Sequence, residues 1–252
     1  MELKRLVTYL DTYFHINEFH DDAANGLQVE NSESVEKIGL AVDACHEAIL
    51  RAAEEKCNLL IVHHGLFWGK QELIVDHHFQ RIRSLIMADM ALYAVHLPLD
   101  AHPEVGHNIQ IAKKIGLINT EPCAQYHGKM IGIQGKFPHT LRLQDAIDKV
   151  TDALGSCRHL IAFGGDAIRN VGIVAGSAND AALFKELKML GIDLFITGEP
   201  RHGAYHLAQE FGLNVFYGGH YQTETIGLRA LARHVEETFL LPTVFIDAPS
   251  IF

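Results

Sequence analysis

The stretch NLLIVHHG, residues 58–65, places four apolar residues directly before two histidines and a glycine. The apolar run has the length and branched composition of a buried strand, and the polar residues mark the end of that strand. A histidine beside a buried strand needs a partner, because an unpaired polar group in an apolar setting is costly. His63 and His64 are therefore the first candidates for a functional site.

Three further apolar runs end in polar groups. Residues 91–95 (ALYAV) precede HLPLD, residues 192–197 (IDLFIT) precede Gly-Glu, and residues 213–217 (LNVFY) precede GGHYQTE. Segments with apolar residues at helical spacing separate these runs along the chain. Strands that alternate with helices predict an α/β fold with buried, largely parallel strands.

The same patterns assign the remaining elements. The predicted helices cover residues 3–14, 45–57, 78–90, about 104–116, 140–154, about 180–190 and 223–239, with a short helix after residue 200. The predicted strands cover residues 38–44, 58–62, 91–95, 129–137, 171–175, 192–197, 213–217 and 243–247.

The two halves of the chain follow the same order of elements. IGLAVDA, a helix and NLLIVHHG in the first half resemble VGIVAGS, a helix and DLFITGE in the second, and LYAVHLPLD then resembles VFYGGHYQTE. This order predicts an internal duplication with two similar α/β domains, over residues 1–125 and 126–252. The C-terminal segment is a candidate addition to the first domain.

The duplication aligns two histidine–carboxylate pairs. His96 and Asp100 have the same spacing as His220 and Glu224, and each histidine leaves an apolar strand. Ligands of parallel α/β sheets bind beyond the carboxyl ends of the strands. We therefore expect the two domains to face each other across one metal-binding cleft.

Five residues form the predicted metal-ligand set: His63, His64, Asp100, His220 and Glu224. Adjacent side chains at a strand end point in different directions, so each histidine of the HHG motif could serve a different ion. Histidines combined with carboxylates suit Zn, Mn, Fe or similar ions better than calcium. The sequence thus predicts two divalent metal ions per subunit.

Each of these residues alone has a structural alternative. His63 or His64 could bond a backbone carbonyl, Asp100 could cap a turn, and Glu224 could lie in the first turn of a helix, where a carboxylate is stabilised. Their joint position at equivalent strand ends favours the metal interpretation.

His96 and Glu199 are the candidates for a catalytic role, as groups that move protons beside the metals. His96 could instead support a metal ligand or belong to the core, and Glu199 could instead bind substrate or cap the following helix. His202 and His206 also have a metal-capable i, i+4 spacing. They lack the glutamate of the zinc-protease motif HExxH.

The composition of the chain narrows the function classes. Its 252 residues include 17 histidines and carry a net charge of −10, which disfavours general nucleic-acid binding. A bound cation can still bring a nucleotide or another phosphorylated small molecule to an acidic protein. No apolar run reaches the roughly 18 residues of a membrane helix, the N-terminus does not resemble a signal peptide, and the four cysteines are widely spaced. We expect a cytoplasmic protein with reduced cysteines and no membrane association.

Five motifs in register resemble the Nif-three-like family, whose members are commonly named GTP cyclohydrolase 1 type 2 homologues. The motifs are NGLQVE at 25–30, VHHGLFW at 62–68, HLPLDAHPEVGHN at 96–108, ITGE at 196–199 and GGHYQTE at 218–224. The resemblance covers almost the whole chain, which is similar to the compact form without an inserted domain. It implies two α/β domains, a dinuclear metal centre held by the five predicted ligands, and a toroidal hexamer.

Three functions are compatible with these observations. The first is a metal-dependent hydrolase, with the imidazole ring opening of GTP and release of formate as the activity that the resemblance implies. The second is a metal-dependent phosphoesterase or nuclease. The third is a non-catalytic, metal-binding or regulatory hexameric ring protein.

Overall fold

The computed structural model describes residues 1–155 and 159–251, and it confirms the predicted α/β class. The helices are α1 (Leu3–Phe14), α2 (His46–Glu54), α3 (Asp76–Met87), α4 (Leu97–Asp100), α5 (His107–Ile115), α6 (Leu143–Leu154), α7 (Ala181–Met189), α8 (His202–Phe211) and α9 (His220–Phe239). The strands are β1 (Gly26–Val29), β2 (Ile38–Asp43), β3 (Leu59–His64), β4 (Ala91–Ala94), β5 (Ile118–Tyr126), β6 (Lys129–Arg142), β7 (His159–Ala162), β8 (Ala167–Ile173), β9 (Leu194–Thr197), β10 (Asn214–Tyr217) and β11 (Thr243–Phe245).

The chain divides into two compact units. The first contains Met1–Leu99 and Leu228–Pro249, and the second contains Asp100–Gly227. The predicted boundary follows residue 125, whereas the second unit begins at Asp100. This unit includes β5, because β5 pairs with β6 in its sheet. The predicted domain limits themselves stay a prediction.

The sheet of the first unit has the strand order β1-β4-β3-β2-β11. Its three central strands, β2, β3 and β4, are parallel, while β1 pairs antiparallel with β4. Their side chains are almost all buried, as expected where helices cover both faces of a parallel sheet. The C-terminal strand β11 adds to the free edge of β2, so the end of the chain completes this sheet.

The sheet of the second unit has the order β5-β6-β8-β9-β10-β7. Strands β8, β9 and β10 are parallel, and β7 pairs antiparallel with β10. The long strands β5 and β6 form an antiparallel pair that extends the sheet beyond β8.

The two units repeat one arrangement of elements. The order α1-β1-β2-α2-β3-α3-β4 corresponds to α6-β7-β8-α7-β9-α8-β10. In both sheets the first strand of the repeat lies antiparallel to the last of three parallel strands. This shared topology supports the predicted duplication more strongly than the sequence similarity alone.

The structure differs from the predicted elements where the local pattern is weak. Strands β1, β5 and β7 were not predicted, because β1 and β7 are short edge strands and β5 is largely exposed. Helix α9 begins at His220 rather than near residue 223, which places His220 and Glu224 one helical turn apart.

Asp180 caps α7 by accepting a hydrogen bond from the backbone of Leu183, at 2.9 Å.

Two composition-based expectations concern the cysteines and membranes. Cys45, Cys57 and Cys123 are free thiols, whereas Cys157 lies outside the described residues. Across residues 1–155 and 159–251, no helix combines the length and the apolar character that crossing a membrane requires.

Asn108 connects three segments of the second unit. Its fully buried amide donates to the carbonyl oxygens of Asp100 (3.2 Å) and Ile131 (2.7 Å), and its oxygen accepts from the backbone of Ala175 (2.7 Å). These bonds connect the end of α4, strand β6 and the segment that follows β8 to one side chain. A buried amide with all of its bonds made stabilises a unique arrangement of the chain.

We predict that Asn108→Leu lowers the free energy of unfolding by about 3 kcal/mol, because it leaves buried backbone groups without partners. The matched control is Asn170→Leu, which removes one exposed hydrogen bond to Gly191. We expect the control to cost less than about 1 kcal/mol. Urea unfolding of both variants tests this, and equal losses would contradict the role assigned to Asn108.

Candidate metal centre

In the first unit, His63 and His64 are the last two residues of β3. The His63 side chain is fully buried, and His64 is half-buried. β3 lies between β2 and β4, so residues at the ends of both neighbours reach the two imidazoles. The buried strand therefore fixes the backbone of the HHG motif, and the neighbouring strands orient its side chains.

Both imidazoles are anchored through Nδ1. His63 Nδ1 lies 3.0 Å from the carbonyl oxygen of Val95, and His64 Nδ1 lies 2.9 Å from Oδ1 of Asp43. A carbonyl or a carboxylate can only accept, so in both histidines Nδ1 carries the hydrogen. Neutral His63 and His64 therefore keep the lone pair on Nε2, the tautomer that a metal ligand requires.

His96 is held in the same way by a buried carboxylate. Its Nδ1 lies 3.0 Å from Oδ1 of Asp21, whose side chain is only 3% exposed. Burial disfavours the Asp21 carboxylate, but the hydrogen bond and charge of His96, with hydrogen bonds from Asn25 and Ala23, hold the pKa of Asp21 well below its usual range. Asp21 is thus an ionised anchor for the imidazole.

His63, His64 and His96 form a compact group within the first unit. One potential ligand nitrogen of each lies within 4.8 Å of those of the other two. Because side chains alternate along a strand, the sequence predicts that those of His63 and His64 point in different directions. Their ring centroids are nevertheless only 4.7 Å apart. Three imidazoles with anchored Nδ1 atoms have the donor chemistry of a site for a divalent transition metal.

The NGLQVE motif positions the loops around these histidines. The Asn25 side chain accepts a hydrogen bond from the backbone of His96 (2.7 Å), and the Gln28 side chain accepts one from Leu66 (2.7 Å). The Trp68 ring lies edge-on to His96, with 5.0 Å between centroids. Asn25 and Gln28 therefore stabilise the backbone at His96 and directly after the HHG motif.

In the second unit, backbone hydrogen bonds connect the three loops that follow β8, β9 and β10. The carbonyl oxygen of Gly176 accepts from both Gly198 and Glu199 at 2.9 Å, and that of Gly198 accepts from Gly219 at 2.9 Å. Gly176 has a φ of +66°, and a Cβ there would collide with Glu224 Oε1. The left-handed conformation favours glycine at this position, and a side chain there would displace the Glu224 carboxylate.

His220 lies between two carboxylates of this unit. Its Nδ1 is 3.2 Å from Glu199 Oε2, and its Nε2 is 3.1 Å from Glu224 Oε1. Burial opposes the charged imidazole, but the hydrogen bond and charge of Glu224, reinforced by Glu199, raise the pKa of His220 to about 9. Glu199 thus contacts Nδ1 of His220, as Asp21 contacts Nδ1 of His96.

Three further polar residues lie near the candidate site in the second unit: Asp100, His102 and His107. Asp100 is buried, and one of its carboxylate oxygens lies within 4.8 Å of a ring nitrogen of His107. His107 Nδ1 accepts a hydrogen bond from the backbone of Gly227, and His102 Nδ1 accepts from that of Val105. In neutral His102 and His107 the hydrogen is therefore on Nε2, the opposite tautomer from that of His63 and His64.

Six of the seven predicted site residues thus fall into two groups of neighbours, whereas Asp100 lies beside His107. The structure brings His63, His64 and His96 together in the first unit, and His220, Glu199 and Glu224 together in the second. The anchoring residues Asp21 and Asp43 were not predicted. Asp43 had a detectable signal, because it ends an apolar strand parallel to β3 and pairs in register with His64.

Fold and side chains together define a class: α/β proteins with two repeated sheets and histidine–carboxylate groups that can hold divalent metal ions. The chain belongs to the Duf34/NIF3 (NGG1p interacting factor 3) family, whose profile matches residues 1–250. This confirms the resemblance found in the sequence motifs.

Relatives match nearly the full length of the chain. A GTP cyclohydrolase 1 type 2 homolog from Archaeoglobus fulgidus is 41% identical, covering 99% of both chains, and one from Deinococcus radiodurans is 40% identical, covering 97% of this chain and 92% of its own. The crystal structure of TTHA1606 from Thermus thermophilus is 44% identical over 100% of both chains, with a TM-score of 0.90. The protein ybgI, described as of unknown function, is 30% identical over 99% of both chains, also with a TM-score of 0.90.

We predict that Asp43→Ala weakens the binding of a divalent metal ion by about 10- to 100-fold, because His64 loses the group that fixes its tautomer and orientation. The matched control is Glu47→Ala, which removes an exposed carboxylate paired with Arg51. Competition with a chromophoric chelator measures both affinities. An Asp43→Ala affinity equal to that of the control would contradict the anchoring role.

Proposed function

We propose that the protein is a metal-dependent hydrolase that binds two divalent ions through five ligands: His63, His64, Asp100, His220 and Glu224. The observation that carries this proposal is the common anchoring of the imidazoles. His63, His64 and His220 each direct Nδ1 to a carbonyl or carboxylate oxygen, so Nε2 is the atom that would bind an ion. In His220 this Nε2 lies 3.1 Å from Oε1 of Glu224, which is also a proposed ligand.

The ligand set limits which ions the protein can hold and what they contribute. Imidazole nitrogens combined with carboxylate oxygens favour Zn, Mn, Fe or similar ions. When bound, a pair of such ions supplies an activated water and stabilises developing negative charge on oxygen.

The candidate reaction is hydrolysis of the imidazole ring of GTP. The names of the relatives support this choice, since they are GTP cyclohydrolase 1 type 2 homologs. In this reaction a first water adds to the carbon between the two ring nitrogens, and one carbon–nitrogen bond breaks to give a formamide. A second water then hydrolyses the formamide, which breaks the other carbon–nitrogen bond and releases formate. Each amine product must receive a proton, so the site needs a group that transfers protons.

His96 fits this proton-transfer role. Asp21 holds its Nδ1–H, so Nε2 can accept a proton from water and deliver it to a leaving nitrogen. The buried Asp21 carboxylate stabilises the imidazolium that forms in between, as the aspartate of a catalytic triad does. The Trp68 ring against His96 restricts the space around the imidazole.

Glu199 has a different role in this proposal. Its carboxylate contacts Nδ1 of His220, and its backbone is fixed by the bond to Gly176. We therefore treat Glu199 as a residue that positions His220 rather than as a group that moves protons.

The proposal includes a homohexameric ring in the cytoplasm, as the family resemblance implies. Light scattering of the purified protein tests the assembly directly. The acidic charge of −10 argues against nucleic acid as the substrate and leaves a small phosphorylated molecule as the favoured class.

We predict that the purified protein contains about two divalent ions per chain by elemental analysis, and that a His63→Ala/His220→Ala double variant loses them. His15→Ala is the control, because the His15 side chain is 66% exposed. Equal metal content in the double variant and the wild type would refute the ligand assignment.

We predict that the metal-loaded protein releases formate from GTP and that His96→Gln lowers the rate at least about 100-fold, in the range of general acid–base catalysis. His96 is not one of the five proposed ligands, so we expect His96→Gln to retain its metals, and measuring its metal content separates proton transfer from ligation. DNA, RNA and small phosphoesters form the comparison panel. Bound metal with no turnover of any of these substrates would refute the hydrolase and leave a non-catalytic metal-binding protein.

A further inference from the structure

A cavity of about 540 Å³ lies in the second unit, between the edge strand β7 and the helix α8. Its volume is within the range of sites for small molecules. Seven residues line it: His159, Ile161, Pro200, Arg201, His202, Tyr205 and His206. None of these residues belongs to the predicted metal-ligand set.

The lining of this cavity is unusual for so acidic a chain. Arg201 carries a permanent positive charge, and the neutral imidazoles of His159, His202 and His206 each offer one N–H donor. None of the seven lining residues is a carboxylate. The whole chain carries a net charge of −10. A local concentration of nitrogen donors in an acidic protein favours an anionic ligand over a cation.

The local structure of α8 strengthens this preference. Arg201 precedes the helix as its N-cap and makes no capping hydrogen bond with its side chain, and His202 is the first helical residue. The first backbone N–H groups of a helix point away from its body and, with the helix dipole, favour negative charge. The guanidinium of Arg201 adds the geometry that phosphate oxygens match with two parallel hydrogen bonds.

Aromatic and apolar residues form the other part of the cavity. The Tyr205 ring is held edge-on against Phe163, at 5.2 Å between centroids and 82° between planes, and its side chain remains 48% exposed. Ile161 supplies a buried apolar surface beside it. A tyrosine ring fixed in this way presents a surface on which a flat ring can stack.

A metal site formed by His202 and His206 is the main competing interpretation. Their ring planes are nearly perpendicular at 87°, with centroids 6.2 Å apart. Among the described residues, neither belongs to a group of three potential ligands, and the neighbouring guanidinium of Arg201 would repel a cation. The pair is better explained as part of an anion site.

We propose that this cavity binds a phosphorylated small molecule with an aromatic ring, in the class of nucleotides. Arg201 and His202 bind the phosphate groups, and Tyr205 stacks on the ring. The proposal does not depend on metal binding, although Pro200 directly follows Glu199, which contacts His220. A ligand in the cavity would therefore lie beside the loop that carries Glu199.

The test is isothermal titration of the metal-loaded protein with 7-deaza-GTP, whose altered imidazole ring prevents hydrolysis during the measurement. Tripolyphosphate and guanosine, titrated separately, distinguish the phosphate contribution from that of the ring. We expect Arg201→Gln to weaken 7-deaza-GTP binding at least about tenfold, since it removes charge-assisted hydrogen bonds. We expect Tyr205→Ala to weaken 7-deaza-GTP but not tripolyphosphate.

Arg169→Gln is the matched control, because it removes the same charge from an exposed position on β8. The affinity of Arg169→Gln for 7-deaza-GTP should stay within about twofold of the wild-type value. Metal content measured on every variant shows separately whether the metal proposal holds. The proposal would be overturned if Arg201→Gln bound 7-deaza-GTP as tightly as Arg169→Gln does. It would also be overturned if the wild-type protein did not bind 7-deaza-GTP at millimolar concentration. If tripolyphosphate bound as tightly as 7-deaza-GTP, and Tyr205→Ala did not weaken 7-deaza-GTP binding, the assignment to nucleotides would be overturned.

Discussion

The hydrogen bond from a histidine Nδ1 to an oxygen acceptor is the interaction on which the candidate site depends. Without it, an imidazole at the end of a buried strand can rotate and exchange tautomers, and Nε2 has no fixed direction. The acceptors come from the neighbouring backbone for His63 and from Asp43 for His64. The parallel sheet supplies both, because it places the ends of adjacent strands side by side. Sheet topology and ligand chemistry are therefore linked through single hydrogen bonds.

The duplication preserves this arrangement while changing its parts. His96 and His220 occupy equivalent positions after the last parallel strand of each repeat, and each has its Nδ1 on a carboxylate. The carboxylates are not equivalent: Asp21 precedes the first strand of its repeat, whereas Glu199 follows β9. Similar chemistry at non-equivalent positions indicates that the orientation of the imidazole, rather than the source of its anchor, is the physical requirement.

Sequence patterns predicted the features that depend on local order. The apolar run before His63 predicted β3, and the paired spacings of His96 and His220 predicted related histidines in the two halves. The pairing of strands is non-local, so the antiparallel edge strands β1 and β7 could not be derived from their short sequences. The anchor Asp21 was missed for the same reason, since it lies 75 residues from His96.

The histidines outside the predicted ligand set show why residue type alone does not define a metal site. His102 and His107 are more buried than His64, yet backbone N–H groups donate to their Nδ1 atoms. Such a bond places the hydrogen of the neutral ring on Nε2 and converts a potential ligand into a donor. The polarity of one hydrogen bond at Nδ1 thus separates the histidines that could bind a metal from those that support the residues around it.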